Sequence, residues 1–395
     1  MQNRLSASSR LSSLFGAPSA SPNRPMPQSV ARRKVVASAA VLAASALVLG
    51  GCAGPLAHGG AGGSSPDAST QAPAETGSSD RTQYPLTVDN CGTEVTFTQA
   101  PGAVVTAKSS TTEAMLALGL GDRIVATAFS DGPLPAWLEE SGAQVPAVVT
   151  ALSDQLPSME STLELAPDLV FVGWESNLSA DGIGPRESFT QFGVNTYVAP
   201  SACKEPEYQP DPLTYDHVFA DITQLGQIFD ASDRATELVA SQRAELDAVT
   251  PDDRGLTALW WSSGSKTPFV GGGIGSAQLA MDTVGLTNIA ASIEDSWGSM
   301  SWEKVIEADP DVIVLVDSAW GSTEKKIGVL KDNPVTAQLT AVINERYLVV
   351  PFPATEAGVR SVSAATELAQ QLADLDLDSA DLDSTAQSAD GNRSN

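Results

Sequence analysis

In the middle of the chain, short runs rich in β-branched and apolar residues alternate with helix-length amphipathic stretches. The runs lie at 104–106, 124–128, 169–172 and 195–198, and again at 258–261, 312–316 and 347–350. Such an alternation predicts an α/β fold with parallel sheets and crossover helices, because a parallel neighbour is reached only by carrying the chain back over one face of the sheet. A hairpin is expected to open the fold, with 84–89 and 93–97 flanking a turn at Asn90-Cys91-Gly92.

The pattern repeats at a distance of 143 residues. Ser158-Met159-Glu160, Leu163, Leu165, Pro167-Asp168 and the run 169–172 match Ser301-Trp302-Glu303, Ile306, Ala308, Pro310-Asp311 and the run 312–315. Each copy reads as a short helix, a proline that ends it, an Asp that caps the turn, and a buried strand. One such unit is a good helix-to-strand connection and nothing more. Two at a fixed spacing predict two similar lobes, at 84–229 and 251–372. Between them 231–249 is apolar-periodic, with Asp230 or Ser232 as cap and Leu238, Val239, Leu246 and Val249 on its apolar positions. It is expected to form one helix over 230–250 joining the lobes, about 28 Å long at ~1.5 Å per residue.

The ends of the chain differ in kind. Arg32, Arg33 and Lys34 precede an apolar run at 35–48 that closes with Leu49-Gly50-Gly51-Cys52. That is a secretory leader over 1–51 ending in a lipobox, with Cys52 as the acylated residue of a lipoprotein. The Ser-, Pro- and Arg-rich residues ahead of it have no apolar period and point to Met26 as the true start. Residues 52–83, built of Gly, Ser, Ala, Pro and Thr, read as a flexible tether, and 373–395 as a disordered acidic tail. These features place the mature protein outside the cytoplasm, held to the outer face of the cell membrane by lipid. Of three cysteines, Cys52 takes the lipid; Cys91 and Cys203 then form a disulfide or remain two free thiols.

Charge narrows the function classes. The chain has 22 Lys and Arg against 48 Asp and Glu, a net charge of −26. Loss of the leader, with six basic residues and no acidic one, takes the mature chain to about −32. Such a field repels phosphate backbones and excludes nucleic-acid binding by a basic patch. The two histidines, His58 in the tether and His217 on a helix, cannot build the His cluster of a zinc or manganese receptor, and an axial His for heme is disfavoured too. The glycines at 271–275 lack the Lys-Ser/Thr ending of a nucleotide loop, so no resident cofactor or metal is expected. A hydrolase using Ser262 or Ser276 is the reading from another class. It lacks a Gly-x-Ser-x-Gly elbow, and a lone ordered histidine, His217, disfavours a Ser-His-Asp arrangement, so the chain is read as a non-enzyme.

Several motifs occur together in order: Glu113, then Leu118-Gly119-Leu120-Gly121-Asp122-Arg123-Ile124-Val125, the doubled Glu-to-Pro-Asp units, Gly285-Leu286-Thr287-Asn288-Ile289-Ala290, and Arg360 before a final helix. In this the chain resembles the iron-siderophore and cobalamin class of ABC-importer binding proteins over about 84–372. Cys203-Lys204-Glu205-Pro206 and the Trp-rich second lobe are similar to an actinobacterial subgroup proposed to import a precursor of a deazaflavin coenzyme. The resemblance implies two lobes joined by one long helix, a free monomer, and permease and ATPase subunits as partners. It also implies a bulky anionic or metal-chelate ligand: a deazaflavin precursor or ferric siderophore, with cobalamin or heme as alternatives. Glu160 and Glu303, which simple helix starts would also explain, take from it the role of docking on the permease.

A ligand cleft is expected at the carboxyl ends of the strands. Its candidates are Lys108, Ser109, Ser110 and Thr111, then Trp174, in the first lobe. In the second they are Trp261, Ser262, Trp320 and Arg360. Tryptophans offer faces for a flat ring, and Lys108, Arg360 and Arg186 could meet an anion. For each Trp a place in the core competes with this reading, and for Arg360 a surface salt bridge does.

Overall fold

A computed structural model of the chain describes residues 81–142 and 150–375; Met26, Cys52, His58 and nearly all of the tether and tail lie outside them. The chain first forms β1 (Leu86–Asn90), β2 (Thr93–Phe97), β3 (Val104–Ala107), α1 (Ser109–Ala117), β4 (Ile124–Ala128), α2 (Ala136–Glu140), β5 (Thr150–Ser153), α3 (Met159–Leu163), β6 (Leu169–Val172), α4 (Arg186–Gln191) and β7 (Asn195–Val198). Helices α5 (Tyr215–Ile228) and α6 (Ser232–Asp247) follow. The second half holds β8 (Thr257–Ser263), β9 (Phe269–Gly271), α7 (Ser276–Val284), β10 (Thr287–Asn288), β11 (Trp297–Ser299), α8 (Trp302–Ala308), β12 (Val312–Asp317), α9 (Thr323–Asp332), α10 (Thr340–Ile343), β13 (Tyr347–Pro351) and α11 (Ser361–Asp374).

The first lobe is built on a five-stranded parallel sheet in the order β5-β4-β3-β6-β7. Its central strands β3 and β6 are buried at every position, as a sheet covered by helices on both faces requires. The second lobe differs from the expected all-parallel arrangement. Its order is β11-β9-β8-β12-β13 with β10 beside β8, and β9 and β11 run antiparallel. The cause is a connection of only five residues after β8, which Gly264 turns at φ 84, too short for a crossover. No apolar run announced β9 or β11, because they border the glycines at 271–275.

Both copies of the repeated unit do the same two jobs. Ser158 and Ser301 accept the N–H of Ser161 and Lys304 and cap α3 and α8. The Asp after each proline then reaches sideways. Asp168 accepts the N–H of Gly102 and Ala103 at 2.7 and 3.0 Å, just ahead of β3. Asp311 accepts the N–H and hydroxyl of Thr257, both at 2.8 Å, at the start of β8. Each Asp thus fastens its own strand to the neighbouring one.

Between the two sheets the chain runs through a packed pair, α5 and α6, of which α6 is the helix that lies within 230–250. Helix α6 has 16 residues, or about 24 Å, and stops short of the expected end because Pro251 biases its predecessor away from helical geometry. Its N-cap is Ala231 without a side-chain bond, since the Asp230 carboxylate instead accepts the N–H of Thr82 at 2.7 Å. Helix α11 extends through Asp374, so the first residues assigned to the acidic tail are helical. Val359, just before α11, and Val362, in its first turn, lie in one apolar cluster with Met115 and Phe219 of the first lobe, so the lobes share packing as well as a connection.

Hairpin β1–β2 begins at Leu86 and includes Asn90. Its turn is Cys91 and Gly92, both at positive φ (54 and 76), which suits a tight two-residue hairpin. Cys91 is disulfide-bonded to Cys203 with Cα atoms 5.3 Å apart. Asn90 bonds both the carbonyl and the N–H of Val198 at 2.8 Å, and Arg186 donates to Asn90.

Candidate functional site: a cleft between the lobes

A cavity of about 550 Å³ opens between the lobes at the carboxyl ends of β6 and β8, with walls from both. Trp174, directly after β6 and Gly173, meets Phe129 and Phe352 edge-on, with centroids 5.9 and 6.2 Å away. Trp320 stands 4.7 Å from Phe352 and is 52 % exposed. Opposite them Phe269 and Trp297 stack at 6.0 Å. Ser262, at the end of β8, completes the wall. A 550 Å³ space with aromatic sides and polar and charged groups set among them has the size and character of a small-molecule site.

Lys108 does not reach this space as expected. It occupies the turn from β3 into α1 at φ 88 and ψ 149, a conformation nearly confined to glycine. Its side chain is fully buried, and the ammonium lies 3.7, 4.3 and 4.8 Å from the ring centres of Trp174, Phe129 and Phe352. It donates to Asp131 at 2.5 Å and faces Glu356 at 3.4 Å. The ammonium is therefore boxed by aromatic faces and carboxylates beneath the cleft. The next three candidates also build the floor. The Ser109 hydroxyl accepts the N–H of Asp131, and the Ser110 hydroxyl packs beneath Gly173, where a Cβ would come within 2.8 Å of it. Thr111 donates to the carbonyls of Ala107 and Lys108 at 3.0 Å.

Arg360 likewise serves the interior. Only 6 % exposed, it donates through Nε and Nη2 to both carboxylate oxygens of Glu113 on α1, and to the carbonyl of Pro133. Burial pushes the Glu113 carboxyl up, and the two bonds from Arg360 oppose that push. The pair is buried and crosses between the lobes, where a surface bridge or a ligand contact was expected. Trp261 belongs to the core: it is buried, edge-on to Trp302 at 5.3 Å, and donates to the Ser263 carbonyl. Alternation along β8 turns its ring away from the cleft. Arg186 is held by Asn90 and the carbonyl of Thr196, and burial lowers its pKa. His217 forms a capping box with Thr214 at the start of α5. Among the described residues no group of three or more His, Cys, Asp or Glu is placed to hold a metal.

Several lining residues carry no local sequence signal. Lys204, next to Cys203, crosses the cleft to Asp295 and Ser296 at 3.1 Å, while its N–H donates to Glu175 at 2.7 Å. Partial burial raises the Asp295 carboxyl, but bonds from Lys204 and Ser296 outweigh it and hold it below the usual range. Among the described residues lining the cleft, the cation is Lys204 and the carboxylates are Glu175, Asp295 and Glu356. Glu160 and Glu303 lie outside it, exposed in the first turns of α3 and α8. The bond from its own N–H, then Ser301, lowers the Glu303 carboxyl.

A family model described as periplasmic binding protein matches residues 104–354. An uncharacterized ABC transporter substrate-binding lipoprotein of Bacillus subtilis, YvrC, is 24 % identical over 301 residues, which is 73 % of this chain and 86 % of that protein. A vitamin B12-binding protein of Yersinia pseudotuberculosis is 27 % identical over 288 residues, 70 % of this chain and 88 % of that one. Among solved structures, that of an ABC-type Fe3+-hydroxamate transport system from Saccharomonospora viridis superposes with a TM-score of 0.63 at 29 % identity, covering 73 % of this chain and 99 % of that one.

Proposed function

This chain belongs to the periplasmic binding protein family, and from that premise we propose that it is the solute receptor of an ABC importer. It captures a bulky, partly planar molecule between its lobes and delivers it to the permease and ATPase subunits, without itself catalysing a reaction. A lipid on Cys52 holds it at the outer face of the membrane, and it works as a monomer. The observation that carries this reading is the cavity of about 550 Å³ walled by Trp174, Trp297 and Trp320. Three indole faces suit a flat ring system, and Lys108 and Arg360 are buried against carboxylates, which leaves Lys204, bonded to Asp295, as the cation lining the cleft among the described residues. The relatives whose names mention vitamin B12 and Fe3+-hydroxamate transport support a small-molecule solute, and a ferric siderophore or a deazaflavin precursor is the candidate. The lipoprotein name of the Bacillus relative supports the anchor.

Glu160 and Glu303 are the docking pair in this reading. Each starts a helix that leads through a Pro-Asp turn into the beginning of a strand, Glu160 in the first lobe and Glu303 in the second. The test of solute capture is to purify the protein from its own cells and identify what it carries by mass spectrometry. We expect a stoichiometric small molecule that is lost from Trp320→Ala and no longer taken up by cells lacking the gene. Protein that carries no solute, together with unimpaired uptake of every candidate, removes the reading.

A further inference from the structure

Glu356 follows β13, lines the cleft, and has a side chain only 9 % exposed. Both of its carboxylate oxygens are buried, with Lys108 and the Ser110 hydroxyl beside them, and neither finds a hydrogen bond of good geometry among the described residues. Its nearest cation, the Lys108 ammonium at 3.4 Å, is already committed to Asp131 at 2.5 Å. Asp131 itself has one oxygen without a partner. The other cation nearby, Arg360, is consumed by Glu113 and Pro133. The floor thus sets Lys108 and Arg360 against Asp131, Glu113 and Glu356, and the rim sets Lys204 against Glu175 and Asp295. Both layers carry more carboxylate than cation. Burying a carboxylate is costly, and here burial, opposed by Lys108 and Ser110 and reinforced by Asp131, pushes the Glu356 carboxyl up to about 7. With the carboxylate turned out toward the cleft by a rotation of its side chain, a group arriving there with N–H donors or positive charge would supply what is missing. Beside Glu356 the faces of Trp320, Trp174 and Phe352 carry the negative side of their quadrupoles, which favours the same sign.

We propose that Glu356 anchors a protonated amine, amidine or guanidine group of the solute. The cleft is then selective for bulky planar molecules bearing such a group, and against those bearing a carboxylate or phosphate. This rests on the reading of the cleft as the solute site and narrows it to a chemical class. No step of it needs a metal or a second protein, and the aromatic walls supply the affinity for the ring while Glu356 supplies its orientation.

The test compares two probes of one ring size, 9-aminoacridine, a planar cation at neutral pH, and acridine-9-carboxylate, an anion. Calorimetry with the full chain should give at least about tenfold tighter binding of the cation, the factor expected of one charge-assisted hydrogen bond. Glu356→Gln should abolish that preference, and Trp320→Ala should weaken both probes. Equal or tighter binding of the carboxylate, no heat from the cation up to millimolar concentration, or a preference that survives in Glu356→Gln overturns the assignment. The wild-type comparison decides alone if that variant does not fold. A carboxylate-preferring cleft that Trp320→Ala disables leaves solute capture standing and removes only the cation anchor.

Discussion

Lys108 and Glu356 show how one residue position can set the character of the cleft. A non-glycine backbone in the conformation of Lys108 costs about 1–3 kcal/mol, and it is held because the ammonium is boxed by Asp131, Glu356 and three rings. Glu356 is the opposite case, a buried charge that weakens the fold. Its carboxyl titrates near 4.5 when unfolded and at about 7 when folded, in the presence of Lys108, Asp131 and Ser110. The folded state therefore holds the proton more tightly. Its contribution to stability is fully present below about pH 4.5 and is lost as pH rises through about 7, by on the order of 3 kcal/mol. Glu356→Gln should match the wild type most closely at about pH 5 and exceed it in stability at about pH 8. Urea unfolding at both values checks this, and equal midpoints at the higher pH would contradict it.

The repeated helix-stop-strand unit accounts for more of the architecture than its local reading implied. Its serine caps and proline stops are visible in the sequence because their partners lie within a few residues. The partners of Asp168 and Asp311 lie 65 or 66 and 54 residues away, so the fastening of β3 and β8 was not visible. The two interactions should differ in weight. Ser301→Ala removes an exposed cap worth about 1 kcal/mol, whereas Asp311→Ala leaves a part-buried N–H and hydroxyl of Thr257 without their partner and should cost about 2–3 kcal/mol. Thermal unfolding of the two variants orders them, and equal losses would mean that the crosslink adds nothing to the fold.

Across the whole molecule, the lobes meet through buried groups: Arg360 with Glu113, Lys108 with Glu356, and Gln242 donating to the carbonyl of Val359 at 2.7 Å. Paired helices α5 and α6 back these contacts, and the disulfide ties the first hairpin to the segment that carries Lys204 into the cleft. A frame joined in this way keeps Glu160 and Glu303 at a set separation and suits rigid docking on a paired permease. Replacing both by Ala should leave solute affinity unchanged while uptake falls sharply, since charged docking contacts are typically worth on the order of 2–5 kcal/mol each. Uptake by membrane vesicles at equal protein levels tests this, and wild-type transport would end the docking role.

The pattern of apolar positions determined the fold class, the doubling into two lobes, the strands β3, β4, β6, β7, β12 and β13, and the regions where Trp174, Ser262 and Trp320 line a cleft. These depend on periodicity and turn chemistry, which act over a few residues and are therefore written locally. Tertiary structure alone decided which charges the cleft presents. Lys108 finds Asp131 at a separation of 23 residues, Lys204 finds Asp295 at 91, and Arg360 finds Glu113 at 247. A charged side chain reads the same in sequence whether it meets solvent, a ligand or a buried partner. Only the folded chain brings the partners within hydrogen-bonding distance, and here it consumes the cations expected for the ligand and leaves Glu356 in their place.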